Sequence, residues 1–571
     1  MLPLLWLVQE NFGHISSEAE FWVGHLLGVA VSHVREVVSF YTMFRTAAAG
    51  RRELRVCTSL PCVLRGAEDV LARLKDQLKI SPGETTPSGE LTLTEVECLC
   101  ACEIAPMAQL DEQFIGPLNQ PSEVAGTLEA ILQAREPEPF ISSEGPVLSS
   151  RFKNPEGTWW DSYVAGGGYV AARKALFSLT PAQIIEEVSR ANLRGLGGAG
   201  FPAGRKWSFI PKASPKPKYL VVNGDEGEPG TFKDRYILER DPHALLEGMV
   251  IAAYTIGSHK AYVYIRGEYF RSARRFGRAV EEAYANGWLG KNIQGSGFDL
   301  DVVIHRGAGA YICGEETALL TSLEGGKGFP KLKPPFPAIS GLFQCPTIVN
   351  NVETLACVPF IVREGAERFA ELGAPRQGGT RLFSVSGHVN RPGLYEAPVA
   401  VTLRELIDNY AEGVLGGRKL KAVIPGGISA KVLTADEIDV RMDFDSLMAA
   451  GTMAGSGGVI VMDDTTCMLE ALRSAAKFFA HESCGQCSPC REGTGWVHRI
   501  VRRISEGGGR LQDLDDLLAI ARDMEGKTIC VFADAAAWPV QSYITKFRAE
   551  FEEHIRTGIC ATRQLAVASR Q

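Results

Sequence analysis

The chain has 571 residues, of which 45% are hydrophobic and 22% charged, with a formal net charge of -7 at pH 7. This acidic balance argues against nucleic-acid binding, which needs a basic surface patch. The first Lys or Arg is Arg35 and no apolar run reaches 18 residues, so neither a signal peptide nor a membrane span is expected. Several of the 14 cysteines cluster at metal-ligand spacings rather than spreading like a disulfide framework, which indicates a reducing compartment.

The pattern of apolar residues predicts a multidomain α/β protein. Residues 1–48 have helical periodicity, and residues 49–135 alternate strands with a helix, as in a small α/β layer domain. A linker rich in Pro, Glu and Ser is predicted at 136–158. The later modules are a large α/β domain, a compact strand-rich module and a helical tail, at 159–375, 376–455 and 456–571.

The small domain contains a first set of cysteines. Cys57 and Cys62 are spaced C-x4-C, and Cys98 and Cys102 are spaced C-x3-C. Four thiolates on two loops suit a [2Fe-2S] cluster. A zinc site and a thiol–disulfide pair are the alternatives, and Cys100 in the second loop could compete as a ligand.

The helical tail contains a second set. Cys484, Cys487 and Cys490 are spaced C-x2-C-x2-C, and Cys530 follows them. Structural zinc sites usually pair two C-x2-C motifs or add histidines, so the three-plus-one pattern favours a [4Fe-4S] cluster. A zinc site or unligated thiols remain the alternatives.

Two loops of the large domain have the composition of ligand sites. Residues 194–204 are rich in glycine, which lets backbone N–H groups approach a phosphate, and Lys206 adds a charge. Residues 223–230 hold an amide and three acids directly after a predicted strand, where α/β enzymes place ligand sites. Taken singly, each loop could be only a turn.

The small domain resembles a known family. Residues 57–62 (CTSLPC) and 97–102 (ECLCAC), followed by Ala-Pro-Met at 105–107 and preceded by Phe-Tyr-Thr-Met-Phe at 40–44, resemble the thioredoxin-like [2Fe-2S] subunit of respiratory complex I. That family usually has glycine at the position of Cys100.

The rest of the chain resembles the NADH-oxidising FMN flavoprotein subunit of complex I. The resemblance rests on the second cysteine set and on five motifs in family order, at 194–207, 223–230, 307–317, 333–337 and 349–354. It implies a Rossmann-like domain that binds FMN and NADH, a ubiquitin-like β-grasp module and a four-helix [4Fe-4S] domain. The chain therefore looks like a fusion of two complex I subunits.

The resemblance also implies site residues. FMN is expected at the glycine loop, with further hydrogen bonds from the strand ends, through Gly195, Gly197, Gly198, Gly200, Lys206, Asn223, Asp225, Gly314, Asn350 and Asn351. NADH is expected near Glu228, Glu316 and Lys333, with aromatic rings beside its adenine at Phe201, Phe209 and Phe336. Leu196 departs from the family, which usually has arginine there; Lys327 and Lys331 replace arginines and keep the charge.

The implied function is electron input. NADH gives two electrons as hydride, iron–sulfur clusters accept them singly, and a flavin mediates between the two. We expect the NADH dehydrogenase module of an NADH:quinone oxidoreductase, on the cytoplasmic side of the inner (cell) membrane, with other iron–sulfur subunits of the peripheral arm as partners. The alternatives are the diaphorase of a soluble NAD-reducing hydrogenase or formate dehydrogenase, and a zinc-bound scaffold without redox chemistry.

Five cysteines fall outside the two sets and are expected to be ordinary buried thiols: Cys313, Cys345, Cys357, Cys467 and Cys560. The ten histidines show no metal-ligand pairing in the sequence, and His481 is expected to be a surface or packing residue.

Overall fold

A computed structural model describes residues 1–118, 138–142, 144–152, 160–558 and 560. Parts of the predicted small domain and linker, and the end of the predicted helical domain, lie outside these residues. Within them, no helix is both long enough and apolar enough to cross a bilayer.

The chain begins with three short helices, at Leu2–Phe12, Ser17–Leu27 and Val31–Phe40. They pack on the large α/β domain, because Trp6 Nε1 donates to Gly307 O at 3.0 Å and Tyr41 Oη donates to Ser322 Oγ at 2.7 Å. These three helices therefore pack against the large domain.

The small domain is a four-stranded sheet in the order β2-β1-β3-β4, with β1 and β2 parallel. Leucines and valines of β1, β2 and the longer helix form its own apolar core. Its strands and helices are β1 (Arg52–Cys57), helices Leu60–Leu64 and Ala67–Leu78, β2 (Leu91–Val96), β3 (Ala108–Leu110) and β4 (Gln113–Ile115).

A short strand, β5 (Phe140–Ile141), follows within the predicted linker, and it joins the sheet of the strand-rich module described below.

The large domain is built on a parallel sheet in the order β8-β7-β6-β9. In β6, Leu220, Val221 and Val222 are all fully buried, as expected for a strand covered on both faces. Its strands are β6 (Tyr219–Gly224), β7 (Lys260–Ile265), β8 (Asp301–Arg306) and β9 (Thr347–Asn351). Its α-helices are Trp160–Ala165, Val170–Ser178, Pro181–Arg190, Ala203–Ser208, Lys233–Arg240, Pro242–Ile256, Phe270–Ala285, Glu316–Leu323, Pro337–Ser340, Val352–Ala356, Val358–Glu364 and Ala366–Glu371.

The strand-rich module is a mixed sheet in the order β13-β12-β14-β10-β11-β5. The strand of this module that comes last in the sequence, β14, lies beyond the predicted end of the module at 455. The elements are β10 (Thr380–Gly387), β11 (Gly393–Pro398), helix Leu403–Glu405, β12 (Leu420–Ile424), β13 (Leu433–Thr434), helix Phe444–Ala449 and β14 (Gly458–Asp463).

After β14, the described residues form four packed helices, at Met468–Glu482, Ser488–Ser505, Gln512–Met524 and Phe532–Thr557. The helix at Ser488–Ser505 is amphipathic, with Val497, Val501 and Ile504 buried at helical spacing. In the second cysteine set, Cys484, Cys487 and Cys530 lie in the connections between these helices, and Cys490 lies in the first turn of the helix Ser488–Ser505.

Candidate functional site

The parallel sheet has a point where the strand order reverses, between β6 and β9. From β6 the chain proceeds through β7 and β8 on one side and then returns to β9 on the other. Ligands of open α/β sheets bind outside the carboxyl ends of the strands at such a point. Three predicted site residues lie there, because Asn223 is next to the end of β6 and Asn350 and Asn351 end β9.

The three amides are held by different neighbours. Asn223 Nδ2 donates to Gly314 O at 2.8 Å, which brings two predicted flavin-binding residues together. Asn350 Oδ1 accepts from Trp207 Nε1 at 2.8 Å, whereas Asn351 caps the helix that follows it. These bonds fix the orientation of the amides at the sheet edge.

Three acids that look alike in the sequence, Asp225, Glu226 and Glu228, have different surroundings in the structure. Glu226 accepts from the backbone N–H groups of residues 233–235 at the start of a helix, and burial raises its pKa to about 7. Glu228 accepts from Tyr311 Oη at 2.5 Å and from Ser429 N at 2.8 Å. Glu226 is thus a helix cap, and Glu228 joins the large domain to the strand-rich module.

Asp225 is the third acid, and one of its carboxylate oxygens is free. Its Oδ2 is buried without a hydrogen-bond partner among the described residues, and burial raises the pKa of Asp225 well above its usual value. A Cβ added at Gly314 would lie 3.3 Å from Asp225 O, so glycine keeps the space beside this acid open. An unsatisfied buried acceptor beside an open space fits a ligand that donates a hydrogen bond, as a flavin ring does.

The glycine loop approaches the same sheet edge. A Cβ at Gly197 would lie 3.0 Å from Asn351 Cβ, and one at Gly200, where φ is +65°, would lie 2.7 Å from the ring of Phe444. Gly198 also has a positive φ, and Gly195 N donates to Phe201 O at 2.8 Å. The close approaches explain why glycine is required, and they fit a loop whose backbone contacts a phosphate.

Leu196 lies within this loop and is buried. Its side chain is 2% exposed, and its backbone N donates to Thr354 Oγ1 at 2.9 Å. The residue that replaces the family's arginine therefore packs into the core.

Three charged residues predicted at the site form one ionic group. Glu316 bonds to Lys206 Nζ at 3.1 Å and to Lys333 Nζ at 2.8 Å. Burial opposes ionisation of Glu316, but Lys206 and Lys333 more than offset it and lower its pKa to about 2. Lys333 also contacts Glu315 at 3.0 Å. The positive charge of Lys206 is therefore balanced by a carboxylate.

Two predicted aromatic residues lie together on the surface. The rings of Phe201 and Phe209 have centroids 6.0 Å apart, and the guanidinium of Arg205 lies 5.9 Å from each centroid. Phe336 is 59% exposed, and in the described part of the chain no ring contact joins it to the other two. An exposed aromatic pair fits a planar base, and Arg205 is a contributor that the sequence analysis missed.

The first cysteine set converges in the small domain. The Cys57 thiol hydrogen-bonds with those of Cys62 and Cys98, and Cys98 Sγ lies 3.9 Å from Cys102 Sγ. Each of the four is at most 2% exposed. The loops after β1 and β2 bring them together, because these neighbouring parallel strands end side by side. The set fits a buried [2Fe-2S] cluster.

Cys100 connects this set to the large domain. Its Sγ lies 3.7 Å from Cys98 Sγ and 3.7 Å from Glu228 O, and its φ is +52°. This left-handed backbone explains why glycine suits the position. Arg266 reinforces the contact by donating to Cys98 O and, at 2.9 Å, to Glu226 O.

The second cysteine set lines a small cavity of about 10 Å³, together with Ile312 and Phe532. Cys487 caps the helix Ser488–Ser505, and Cys490 lies in its first turn. Burial raises the pKa of Cys490 to about 11 and that of Cys530 to about 12. A metal would displace these protons, and the helix N-terminus favours the negative charge of a thiolate-bound cluster.

A group of aromatic rings joins this cavity to the flavin region. The Tyr311 ring lies 5.0 Å from that of Phe478 and 5.9 Å from that of Phe532. Tyr311 also donates to Glu228, whose backbone oxygen lies 3.7 Å from Cys100 Sγ, so Glu228 links the surroundings of the two cysteine sets through Cys100 and Tyr311. The sequence analysis missed Phe478 and Phe532, which give no signal beyond helical periodicity.

Four segments of the chain match known families. They are a thioredoxin-like [2Fe-2S] ferredoxin at 1–132, a Nuo51 FMN-binding domain at 188–360, an SLBB domain at 381–461 and an NADH-ubiquinone oxidoreductase-F iron–sulfur binding region at 470–554. The predicted fold class and the FMN, [2Fe-2S] and [4Fe-4S] cofactors are confirmed by these matches.

Relatives share much of the chain. The second F-type subunit of NADH-quinone oxidoreductase from Rhizobium meliloti (strain 1021) is 55% identical over 73% of this chain and 99% of its own length. The F-type subunit from Rickettsia felis is 55% identical over 67% of this chain and 91% of its own length. The chain belongs to this family of F-type NADH-quinone oxidoreductase subunits, as the sequence analysis predicted.

Solved structures share almost the whole fold. A chain of an NAD+-reducing [NiFe]-hydrogenase in the air-oxidised state superposes with a TM-score of 0.84 at 31% identity, over 97% of this chain and 93% of its own. The hydrogen-reduced state gives a TM-score of 0.86 at 30% identity, over 99% and 96%. At 97–99% of this chain, the structural similarity includes the small N-terminal domain.

Proposed function

We propose that the chain is the NADH-oxidising input module of an NADH:quinone oxidoreductase. The observation that carries the proposal is the loop at 225–228. At the switch point, Asp225 has a carboxylate oxygen with no hydrogen-bond partner among the residues that the structure describes. Glu228 O contacts Cys100 beside the first cysteine set, and Tyr311 joins Glu228 to the aromatic rings beside the second. A flavin supplies the conversion between a hydride donor and one-electron acceptors.

The roles of individual residues follow from their chemistry. Asp225, with Asn223 and the amides that end β9, orients the flavin ring, and the glycine loop with Lys206 holds its phosphate. Phe201 and Phe209 stack on the adenine of NADH. Glu228 and Glu316 orient the dinucleotide by accepting hydrogen bonds, and no nucleophile or general base is needed for hydride transfer. The side chains therefore bind, orient and exclude water.

The partners and location of the proposed module follow from its relatives. Their names describe one subunit of an enzyme that acts on a quinone. The proposed partners are the other iron–sulfur subunits of the peripheral arm, on the cytoplasmic side of the cell membrane. The membrane contact is indirect in this proposal.

Co-purification from the native host tests the proposal. We expect a tagged chain to fractionate with membranes and to recover a complex that reduces a quinone with NADH. A soluble complex that contains nickel and evolves or consumes hydrogen would replace it with the diaphorase of an NAD-reducing hydrogenase, and a molybdenum subunit with that of a formate dehydrogenase.

A glycine substitution tests the flavin site. Gly197→Ala adds a methyl 3.0 Å from Asn351 Cβ and should lower the FMN bound per chain, measured by fluorescence after acid extraction. Gly277→Ala is the control, because its methyl would meet only Ile304 Cδ1, at 3.8 Å. Equal FMN content in both variants would remove the glycine loop from the site.

A further inference from the structure

A third group of metal-ligating side chains lies in the helical domain, apart from both cysteine sets. Ligand atoms of Cys467, His554 and Cys560 all lie within 4.8 Å of one another. Their exposed fractions are 8%, 6% and 6%. From the sequence, both cysteines were expected to be ordinary thiols, and His554 had no partner in the pattern. The fold brings the three together from separate segments.

The imidazole of His554 points to a ligand. Both ring nitrogens, Nδ1 and Nε2, are buried and have no hydrogen-bond partner among the described residues. Leaving a buried polar group unsatisfied costs about 1–3 kcal/mol, so native structures rarely do so. A metal ion would occupy one of these nitrogens.

The donor set selects the kind of metal. Two thiolates and an imidazole are ligands of four-coordinate Zn²⁺, whose fourth position a water molecule would fill, whereas an iron–sulfur cluster needs four protein ligands. Two thiolates neutralise Zn²⁺, which suits a buried site. Glu550, an acid whose charge acts on Cys467, is already engaged by Lys421 at 2.8 Å and by Met468 N at 2.8 Å. The two thiolates therefore balance the charge of Zn²⁺ without Glu550.

The position of the group suggests what a metal would do. Cys467 caps the helix Met468–Glu482, which ends just before Cys484, and His554 lies in the last turn of the helix Phe532–Thr557, which begins just after Cys530. The first of these helices has 15 residues, so the two ends are about 22 Å apart at about 1.5 Å per residue. The group is therefore separate from the cluster cavity. It joins the start of the helix Met468–Glu482 to the end of the helix Phe532–Thr557, and both of these helix ends lie away from the cavity.

We propose that Cys467, His554 and Cys560 bind a structural Zn²⁺ ion. The ion ties Cys560 and the end of the helix Phe532–Thr557 to the start of the helix Met468–Glu482. The proposal is independent of the quinone or hydrogenase assignment, because it concerns neither the flavin nor the iron–sulfur sites.

Elemental analysis of the full chain, separated from its proposed iron–sulfur partner subunits, tests the site. Protein purified anaerobically without chelator should contain about one zinc per chain beside about six iron atoms from the two clusters. Zinc-edge X-ray absorption should show two sulfur ligands at about 2.3 Å and a nitrogen at about 2.0 Å. Iron content reports the proposed function separately, so loss of iron with retention of zinc would count against that function and not against this site.

Three variants make the assignment specific. Cys560→Ser and His554→Gln should lose the zinc and keep the iron, whereas the control Cys345→Ser should keep both. Cys560 lies beyond the helix Phe532–Thr557, so its substitution leaves that helix intact even if His554→Gln disturbs folding. The proposal fails if the native protein holds no zinc after incubation with zinc sulfate, if both ligand variants retain it, or if peptide mapping finds a Cys467–Cys560 disulfide.

Discussion

The two cysteine sets of this chain are built in opposite ways. In the small domain, Cys57, Cys62, Cys98 and Cys102 are enclosed on all sides, and none is more than 2% exposed. In the helical domain, Cys484, Cys487 and Cys530 are only half-buried and line a cavity. The first set is closed and the second is open.

The neighbours of the two sets explain what this difference implies. The closed set contacts the large domain through Cys100 and Arg266, next to Glu228. The open set is joined to the same loop by the rings of Tyr311 and Phe532, and it is also accessible from outside. An electron carrier that must serve a partner needs an accessible face, so we infer that the open set is the exit and the closed set a side branch.

The strongest test of the comparison removes a ligand of the open set. Cys487→Ser should abolish NADH:quinone activity of the assembled complex, because the cluster with one ligand missing no longer serves as the exit. NADH:ferricyanide activity should persist in part, since this small oxidant can take electrons at the flavin. Both rates are measured on the same preparation, together with iron content.

Cys345→Ser is the matched control for Cys487→Ser, because Cys345 is a buried thiol outside both sets whose Sγ donates to Phe343 O at 3.4 Å. Equal loss of both activities in Cys487→Ser would mean that the open set is needed for folding, and the proposed exit would lose its support.

A substitution at the proposed flavin and NADH site, from which electrons reach both cysteine sets, should affect the two sets equally. Lys206→Met removes one partner of Glu316 and a positive charge from the proposed phosphate site. We expect a rise of about tenfold in the KM for NADH, because Glu316, which is proposed to orient the dinucleotide, loses a charge-assisted hydrogen bond of about 1.5–3 kcal/mol, and 1.4 kcal/mol corresponds to about tenfold. Lys291→Met, at an exposed lysine paired with Asp299 at 2.9 Å, is the control.

The pH dependence of this effect follows from Glu316. Its pKa is lowered from 4.5 to about 2, so the carboxylate is ionised throughout the pH range of a kinetic assay. The ion pairs therefore stabilise the folded protein fully above pH 4.5, and this contribution is lost as the pH falls toward 2. The ratio of the two KM values should be the same at about pH 6 and about pH 9. A ratio that changes over this range would assign the effect to another group.

Removing a ligand of the closed set should have a smaller effect on turnover. Cys57→Ser should eliminate the electron paramagnetic resonance signal of the [2Fe-2S] cluster and lower the resistance of the small domain to proteolysis, because metal binding contributes to folding. NADH:quinone activity should stay near the native value. A loss as large as that of Cys487→Ser would place the closed set on the main route.

The sequence predicted best what is local. The C-x2-C-x2-C set and the glycine loop are short segments whose spacing indicates their chemistry, and the family resemblance decided between the alternatives. The roles of Asp225, Glu226 and Glu228 could not be predicted from spacing, because they depend on Ser429 of another module and on the helix that begins near Lys233. The group at Cys467, His554 and Cys560 could not be predicted for the same reason. Cys467 is far from the other two in the sequence, and the packing of the helical domain brings them together.

The smallest expected effect concerns Cys100, which separates the closed set from its family pattern. Cys100→Gly should keep the [2Fe-2S] signal, because the four remaining thiols include the C-x4-C and C-x3-C pairs. Stability should change by less than about 1 kcal/mol, since relief of the left-handed backbone is offset by the greater chain entropy of glycine. Cys102→Ser is the control and should lose the signal. If Cys100→Gly loses it and Cys102→Ser keeps it, Cys100 is the ligand, and the cluster lies closer to Glu228 than the family spacing implies.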